Sequence, residues 1–159
     1  MSTFLMIVVV AVLAFVARRV FRQQQASAEN RRKAVDFFAT NAKAEGVQVT
    51  PSGLQYQVLS ESENVGTEHP HLSDTVKVHY HGTLLDGTVF DSSVDRGEPI
   101  SFALNQVIRG WTEGLQLMVV GQKMRLFIPS DLAYGNRATG TIPASSALIF
   151  DVELLAINE

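Results

Sequence analysis

Two kinds of residue in this sequence could carry chemistry. Histidines come in two pairs, His69/His71 and His79/His81. In a strand, positions 79 and 81 share a face, so two imidazoles could hold a metal ion. No third ligand stands at a convincing spacing, and the expectation is a solvated strand face with no metal. The other kind is aromatic. Tyr80, Phe90, Trp111, Tyr134 and Phe150 stand just where strand patterns end, with Asp91 and Arg96 beside them. On composition alone such residues are core. The usual catalytic constellations are absent: there is no Gly-x-Ser-x-Gly elbow, no phosphate loop and no Gly-x-Gly-x-x-Gly turn. The 159 residues include no cysteine, which excludes disulfides, thiolate metal sites, a Cys nucleophile and an N-terminal lipidated cysteine.

The elements that would position the aromatics lie in the second two thirds of the chain. Thr50-Pro51-Ser52-Gly53 is a turn signal. Leu54, Tyr56 and Val58 then alternate with polar residues, as in a half-buried strand. Residues 60–74, with Gly66 and Pro70, read as loop. Val76, Val78 and Tyr80 alternate again up to Leu84, and Asp86-Gly87 closes a hairpin. Ile100, Phe102 and Leu104 form a third alternating run. Residues 110–118 suit one short helix, with Gly110 and Gly114 placed for close packing. Residues 123–129 and 148–157 read as strands, and 134–147 as a long loop. The expected class is α+β, an antiparallel sheet covered on its apolar face by one short helix.

The charge is uneven. Residues 1–46 hold 7 Lys/Arg and 3 Asp/Glu, net +4, and residues 47–159 hold 6 and 13, net −7. An acidic body with scattered bases argues against a nucleic-acid groove. Residues 4–17 are all apolar, and Arg18, Arg19 and Arg22 follow at once. A cleaved signal peptide lacks its basic n-region here. A buried core helix lacks a polar face. The flanking arginines favour an uncleaved anchor over residues 1–22, single-pass in an inner membrane, with the body in the cytoplasm by the positive-inside rule, a periplasmic placement being the alternative. QQQASA (23–28) reads as a linker, and 29–45 as a connector helix with Val35, Phe38 and Ala42 at helical spacing. That helix either packs lightly on the body or makes a homodimer.

Four strings carry a resemblance: VHYHGTLLDGTVFDSS (78–93), VIRGWTEGLQLM (107–118), IPSDLAYG (128–135) and LIFDVELL (148–155). They resemble the FKBP-type peptidyl-prolyl cis-trans isomerases. SGLQY (52–56) and the preceding helix resemble the bacterial subgroup related to macrophage infectivity potentiator proteins. The likeness spans about residues 47–157 and implies the family fold, an antiparallel half-barrel wrapped around one short helix. It also implies a proline pocket: Trp111 as floor; Tyr80, Phe90, Val107, Ile108 and Phe150 as walls; Asp91 near the bound carbonyl with Arg96 as its partner; Tyr134 as a donor to the ligand carbonyl; and Ile142 as the flap residue. Phe102 and Phe127 match no pocket motif and are expected in the core. Ile100 stands where many relatives carry a pocket phenylalanine, the 135–143 flap is short and lacks the histidine of some relatives, and Ala144 replaces a second proline.

The expected function is acceleration of X-Pro bond rotation in protein folding, with no cofactor. The expected partners are proline-containing polypeptides, tacrolimus- or rapamycin-type macrolides and, through residues 1–22, a membrane. The alternative is a tethered FKBP-like docking or chaperone module with little isomerase activity. The expected divisions are 1–22, 23–46 and 47–159.

Overall fold

The structure is a computed structural model that describes residues 3–61 and 67–159. It begins with one long helix, α1 (Thr3–Asn41), followed by seven strands: β1 (Val47–Val49), β2 (Gln55–Ser60), β3 (Thr75–Leu84), β4 (Val89–Ser92), β5 (Ile100–Ala103), β6 (Lys123–Ile128) and β7 (Leu148–Ile157). Two short helices interrupt them, α2 (Ser93–Arg96) and α3 (Arg109–Leu115). All pairings are antiparallel, in the order β1-β2-β6-β7-β3-β4, with β5 also on β3. The loop expected over 60–74 lies partly outside the described residues.

The period-2 pattern becomes the wall of the core. Along β3, Val76, Val78 and Tyr80 point inward, and along β7 Leu148, Phe150, Val152 and Leu154 do the same. They meet Leu104, Leu115, Met118, Leu126 and Ile128 in one continuous apolar cluster. Register shifts in β2 and β3 mark bulges, which bend strands and increase their twist, and the sheet wraps α3. The Asp86-Gly87 hairpin is formed: Gly87 takes a φ of +86°, and Leu84 N–H donates to the Thr88 carbonyl at 2.9 Å.

One edge of β3 is shared, which sets the shape near the aromatics. β5 pairs with Thr75–Val78, and β4 with His81–Thr83. Between them the Ser93 hydroxyl, fully buried at the start of α2, stands in for a strand at Tyr80. It accepts from the Tyr80 N–H at 2.8 Å and donates to the Tyr80 carbonyl at 3.3 Å. The paired histidines are used as neighbours of this turn: His79 Nδ1 lies 3.0 Å from Ser93 Oγ, and His81 Nδ1 2.9 Å from Ser92 Oγ.

Three sequence expectations change. The QQQASA linker is helix, because Gln and Ala are good helix formers and neither Gly nor Pro interrupts them. Across 29–45 the buried side of α1 carries Ala34, Phe37 and Phe38, while Val35 and Ala42 are exposed. The Phe37 ring lies 5.8 Å from that of Phe127, and Gln55 Nε2 donates to the Phe38 carbonyl at 2.9 Å. The membrane anchor over residues 1–22 finds no support either. Among the described residues no helix is long and apolar enough to cross a membrane. A 14-residue apolar run rises only about 21 Å, short of a ~30 Å hydrocarbon core, and α1 continues unbroken through Arg18, Arg19 and Arg22.

α3 lies against β6 because it carries no side chain at two contact points. A Cβ at Gly110 would run into Ile128, and one at Gly114 would sit 2.7 Å from Leu126 Cδ1. Gly114→Ala should therefore destabilise the domain by about 1–3 kcal/mol through overpacking. That is opposite in sign to the ~0.5–1 kcal/mol gain usual for replacing a helix-interior glycine. A urea melt of the variant checks it.

Candidate functional site

Seating α3 on β6 puts Trp111, one residue after Gly110, at the bottom of a cleft. The Trp111 N–H donates to the Ile108 carbonyl at 2.9 Å, and Thr112 Oγ1 ties α3 to the Leu104 carbonyl at 2.8 Å. Three aromatic rings meet the indole nearly edge to face: Tyr80 at 5.2 Å, Phe150 at 5.2 Å and Phe102 at 5.4 Å between centroids. Phe90 stands edge-on to Phe150 at 5.2 Å. Edge-to-face pairs are favourable because the positive ring edge meets the negative face. The strand bearing Tyr80 has no side chain at Gly82, where a Cβ would sit 2.6 Å from the Phe90 ring and 2.8 Å from Phe150.

The result is a cleft of about 470 Å³. Of the sequence-predicted residues, Tyr80, Phe90, Asp91, Val107, Ile108, Trp111, Tyr134, Ile142 and Phe150 all line it. Trp111 is only 4% exposed, and its Nε1 is the one buried side-chain polar atom among the described residues without a hydrogen-bond partner. Tyr134 stands at the rim, 40% exposed. Ile142 closes one side from a hairpin tip in which Thr139 and Ile142 exchange backbone hydrogen bonds, both 2.9 Å.

Two expected residues are not in the lining. Ile100 pairs with Val78 at the exposed start of β5 and does not reach the cleft lining. Arg96 stays outside but is tied to the site. Its guanidinium pairs with Asp91, donates to Tyr80 Oη at 3.1 Å and lies 5.8 Å from the Tyr80 ring centroid. Phe102, expected in the core, packs against the core cluster and also forms a cleft wall, and Gln106 and the tip residues Thr139–Thr141 join it. The clue for Phe102 was its alternation with Ile100. Opposite Val76 in register, it takes the inward place at the covered end of β5.

The polar corner is a closed set. Tyr80 Oη donates to Asp91, and Arg96 pairs with the other Asp91 oxygen. Partial burial pushes the Asp91 carboxyl up, but the hydrogen bonds from Tyr80 and Arg96 and the Arg96 charge outweigh it and hold it below the usual range. Burial, followed by the bond to Asp91, pushes the Tyr80 phenol up. The corner therefore keeps one charge state across neutral pH, with the carboxylate ionised and the phenol protonated.

Residues 66–155 match the profile of the family described as FKBP-type peptidyl-prolyl cis-trans isomerase, and residues 8–58 match the domain amino-terminal to it. The chain belongs to this FKBP family. It is 61% identical over 132 residues to the FKBP-type peptidyl-prolyl cis-trans isomerase FkpA of Aeromonas hydrophila, covering 82% of this chain and 48% of that one. It is 43% identical over 145 residues to the outer membrane protein MIP of Legionella longbeachae, covering 90% and 60%. The crystal structure of FkpA from Escherichia coli superposes with a TM-score of 0.86 at 42% identity, over 95% of this chain and 71% of that one. A peptidyl-prolyl cis-trans isomerase from Pseudomonas syringae superposes at 0.75 and 34% identity, over 84% and 96%. The chain spans about half the length of the curated relatives it matches. The inner-membrane, cytoplasm-facing placement falls with its anchor: FKBP relatives of the FkpA type match most of this chain, while its described part contains no spanning helix.

A depressed carboxylate stabilises the fold above its unfolded pKa, near 4, and that contribution vanishes as pH falls through the lower native value. Asp91 is 43% exposed, so the effect is small. Asp91→Asn should lower the melting temperature by about 1–2 °C at pH 7 and by nothing at about pH 2. Thermal melts of both proteins at the two pH values check the sign.

Proposed function

We propose that this FKBP domain accelerates cis-trans rotation of X-Pro bonds in polypeptides, and that the cleft over Trp111 is where it does so. The aromatic box around Trp111 carries the reading. X-Pro amides interconvert over a barrier of ~18–20 kcal/mol because twisting breaks amide resonance, and uncatalysed exchange takes tens to hundreds of seconds. The twisted state has less charge separation than the planar amide. An apolar cavity therefore favours it over the ground state, which is what acceleration requires.

Each residue has a role in that account. The proline ring rests on Trp111, between Tyr80, Phe102 and Phe150. Phe90 and the ionised Asp91 face the bond from one side, Asp91 being held by Tyr80 and Arg96. Tyr134, at the rim, donates to the carbonyl that follows the proline, and Val107, Ile108 and Ile142 close the rest. No nucleophile takes part, since no covalent bond is made or broken. The same cleft is the seat for tacrolimus- or rapamycin-type macrolides. The catalytic unit is residues 47–159, and the 29–45 stretch is an arm whose Ala34, Phe37 and Phe38 face its own domain, which leaves Val35, Ala39, Ala42 and Ala44 as its exposed apolar groups for a second copy.

The test is isomerisation of a short X-Pro peptide by the full chain. The expected result is acceleration that rapamycin abolishes. Asp91→Ala should cut kcat/KM about 10-fold with the fold retained, a loss of ~1.4 kcal/mol of transition-state stabilisation. No acceleration by the folded protein would leave a docking module in place of an isomerase.

A further inference from the structure

We infer that α1 is a brace for the flap of the proline cleft, with Ser27, Asn30 and Arg31 as positioning residues for Ile142. The inference rests on the function proposed above. The flap is the segment from Gly135 to Ala147. It supplies Thr139, Gly140, Thr141 and Ile142 to the cleft, and among the described residues its tip is held by two backbone hydrogen bonds of its own. A wall built this way needs an anchor at its base, and the base is tied to the helix.

Three hydrogen bonds tie α1 to the flap, and a fourth joins the two ends of the flap. Asn30 Nδ2 donates to the Ala144 carbonyl at 3.1 Å, two residues after Ile142. Ser27 Oγ lies 2.8 Å from Ser145 Oγ, Ser145 Oγ donates to Asn136 Oδ1 at 2.8 Å, and Arg31 donates to the same oxygen at 2.6 Å. Because the Ser145 proton goes to Asn136, Ser27 is the donor to Ser145. The two ends of the flap, Asn136 and Ser145, are thus joined to each other and to successive turns of α1. The Ser145 N–H also donates to the Gly135 carbonyl at 2.9 Å.

Ser145 shows that this junction is enforced. It is fully buried, and it holds a φ of +59° without being glycine. A non-glycine residue keeps that conformation only when its surroundings over-determine it. Its buried hydroxyl would be an unpaired group without Ser27 and Asn136. The helix side that makes these bonds continues into the contacts at Ala34, 8% exposed, and at Phe37, whose ring packs at a tilt against Phe127. The C-terminal part of α1 is therefore fixed to the flap through Ser27, Asn30 and Arg31 and to the sheet through Phe37 and Phe38, and a change in its position is transmitted to the cleft wall.

The full chain carries one tryptophan, Trp111, on the cleft floor, so flap looseness has a direct optical readout. In the full chain, Ser27→Ala with Asn30→Ala should raise the acrylamide quenching constant of Trp111 about 2-fold and raise KM for an X-Pro peptide about 5-fold, with kcat within about 2-fold. Ser27→Thr, which keeps the hydroxyl, and Val35→Ala, at an exposed position, should leave both unchanged. Unchanged quenching in the double variant would overturn the brace, as would an equal change in Val35→Ala. If the wild-type chain failed to turn over the peptide, the proposed function would fail, and the quenching result would still decide the brace.

Discussion

The approach of α3 to β6 is the constraint on which the rest of the molecule depends. An indole can form the floor of a cleft only if its helix lies deep in the sheet. Here the absence of side chains at Gly110 and Gly114 permits that against Ile128 and Leu126. With Trp111 placed, Tyr80, Phe102 and Phe150 reach it edge-on from β3, β5 and β7, and Gly82 clears the space in which Phe90 meets Phe150. Three close approaches thus convert a sheet core into a cavity with an aromatic lining. The same rings belong to the continuous apolar cluster, so the cleft and the stability of the fold rest on shared contacts.

The polar groups are arranged so that this cavity stays apolar inside. Ser93 satisfies the Tyr80 backbone where neither β4 nor β5 reaches, and Arg96 and the Tyr80 phenol neutralise and fix the one carboxylate at the wall. Partial burial alone would push that carboxylate toward its neutral form. With these two partners, Asp91 holds a single direction and a single charge state beside the place where a twisted amide would sit.

The strands were legible because they obey local rules, and the candidate site because its strings resemble those of a known family. β3 and β7 alternate cleanly, Asp86-Gly87 announces its hairpin, and nine of the eleven residues assigned to the pocket line one cleft. The exceptions have physical causes. Ile100 and Phe102 share a parity, but only the second lies where β5 is covered, and parity does not report coverage. QQQASA looks like a break by polarity although its residues propagate a helix. The apolar run before Arg18 reads as an anchor by composition, while its length as a helix falls short of a bilayer. The ties between α1 and the flap join residues more than 100 positions apart through serines and asparagines of ordinary appearance, and no periodicity announces such contacts.

The central claim is that binding on Trp111 and acceleration of the X-Pro bond are one event in one cleft. It is tested most directly by titrating the full chain with a proline-containing peptide while recording Trp111 emission and the cis-trans exchange rate of that peptide in the same samples. The account predicts that the change in emission and the acceleration follow the same saturation curve, and that both are lost when rapamycin is added. Acceleration that rises while Trp111 emission stays constant, or emission that saturates with no acceleration, would contradict it.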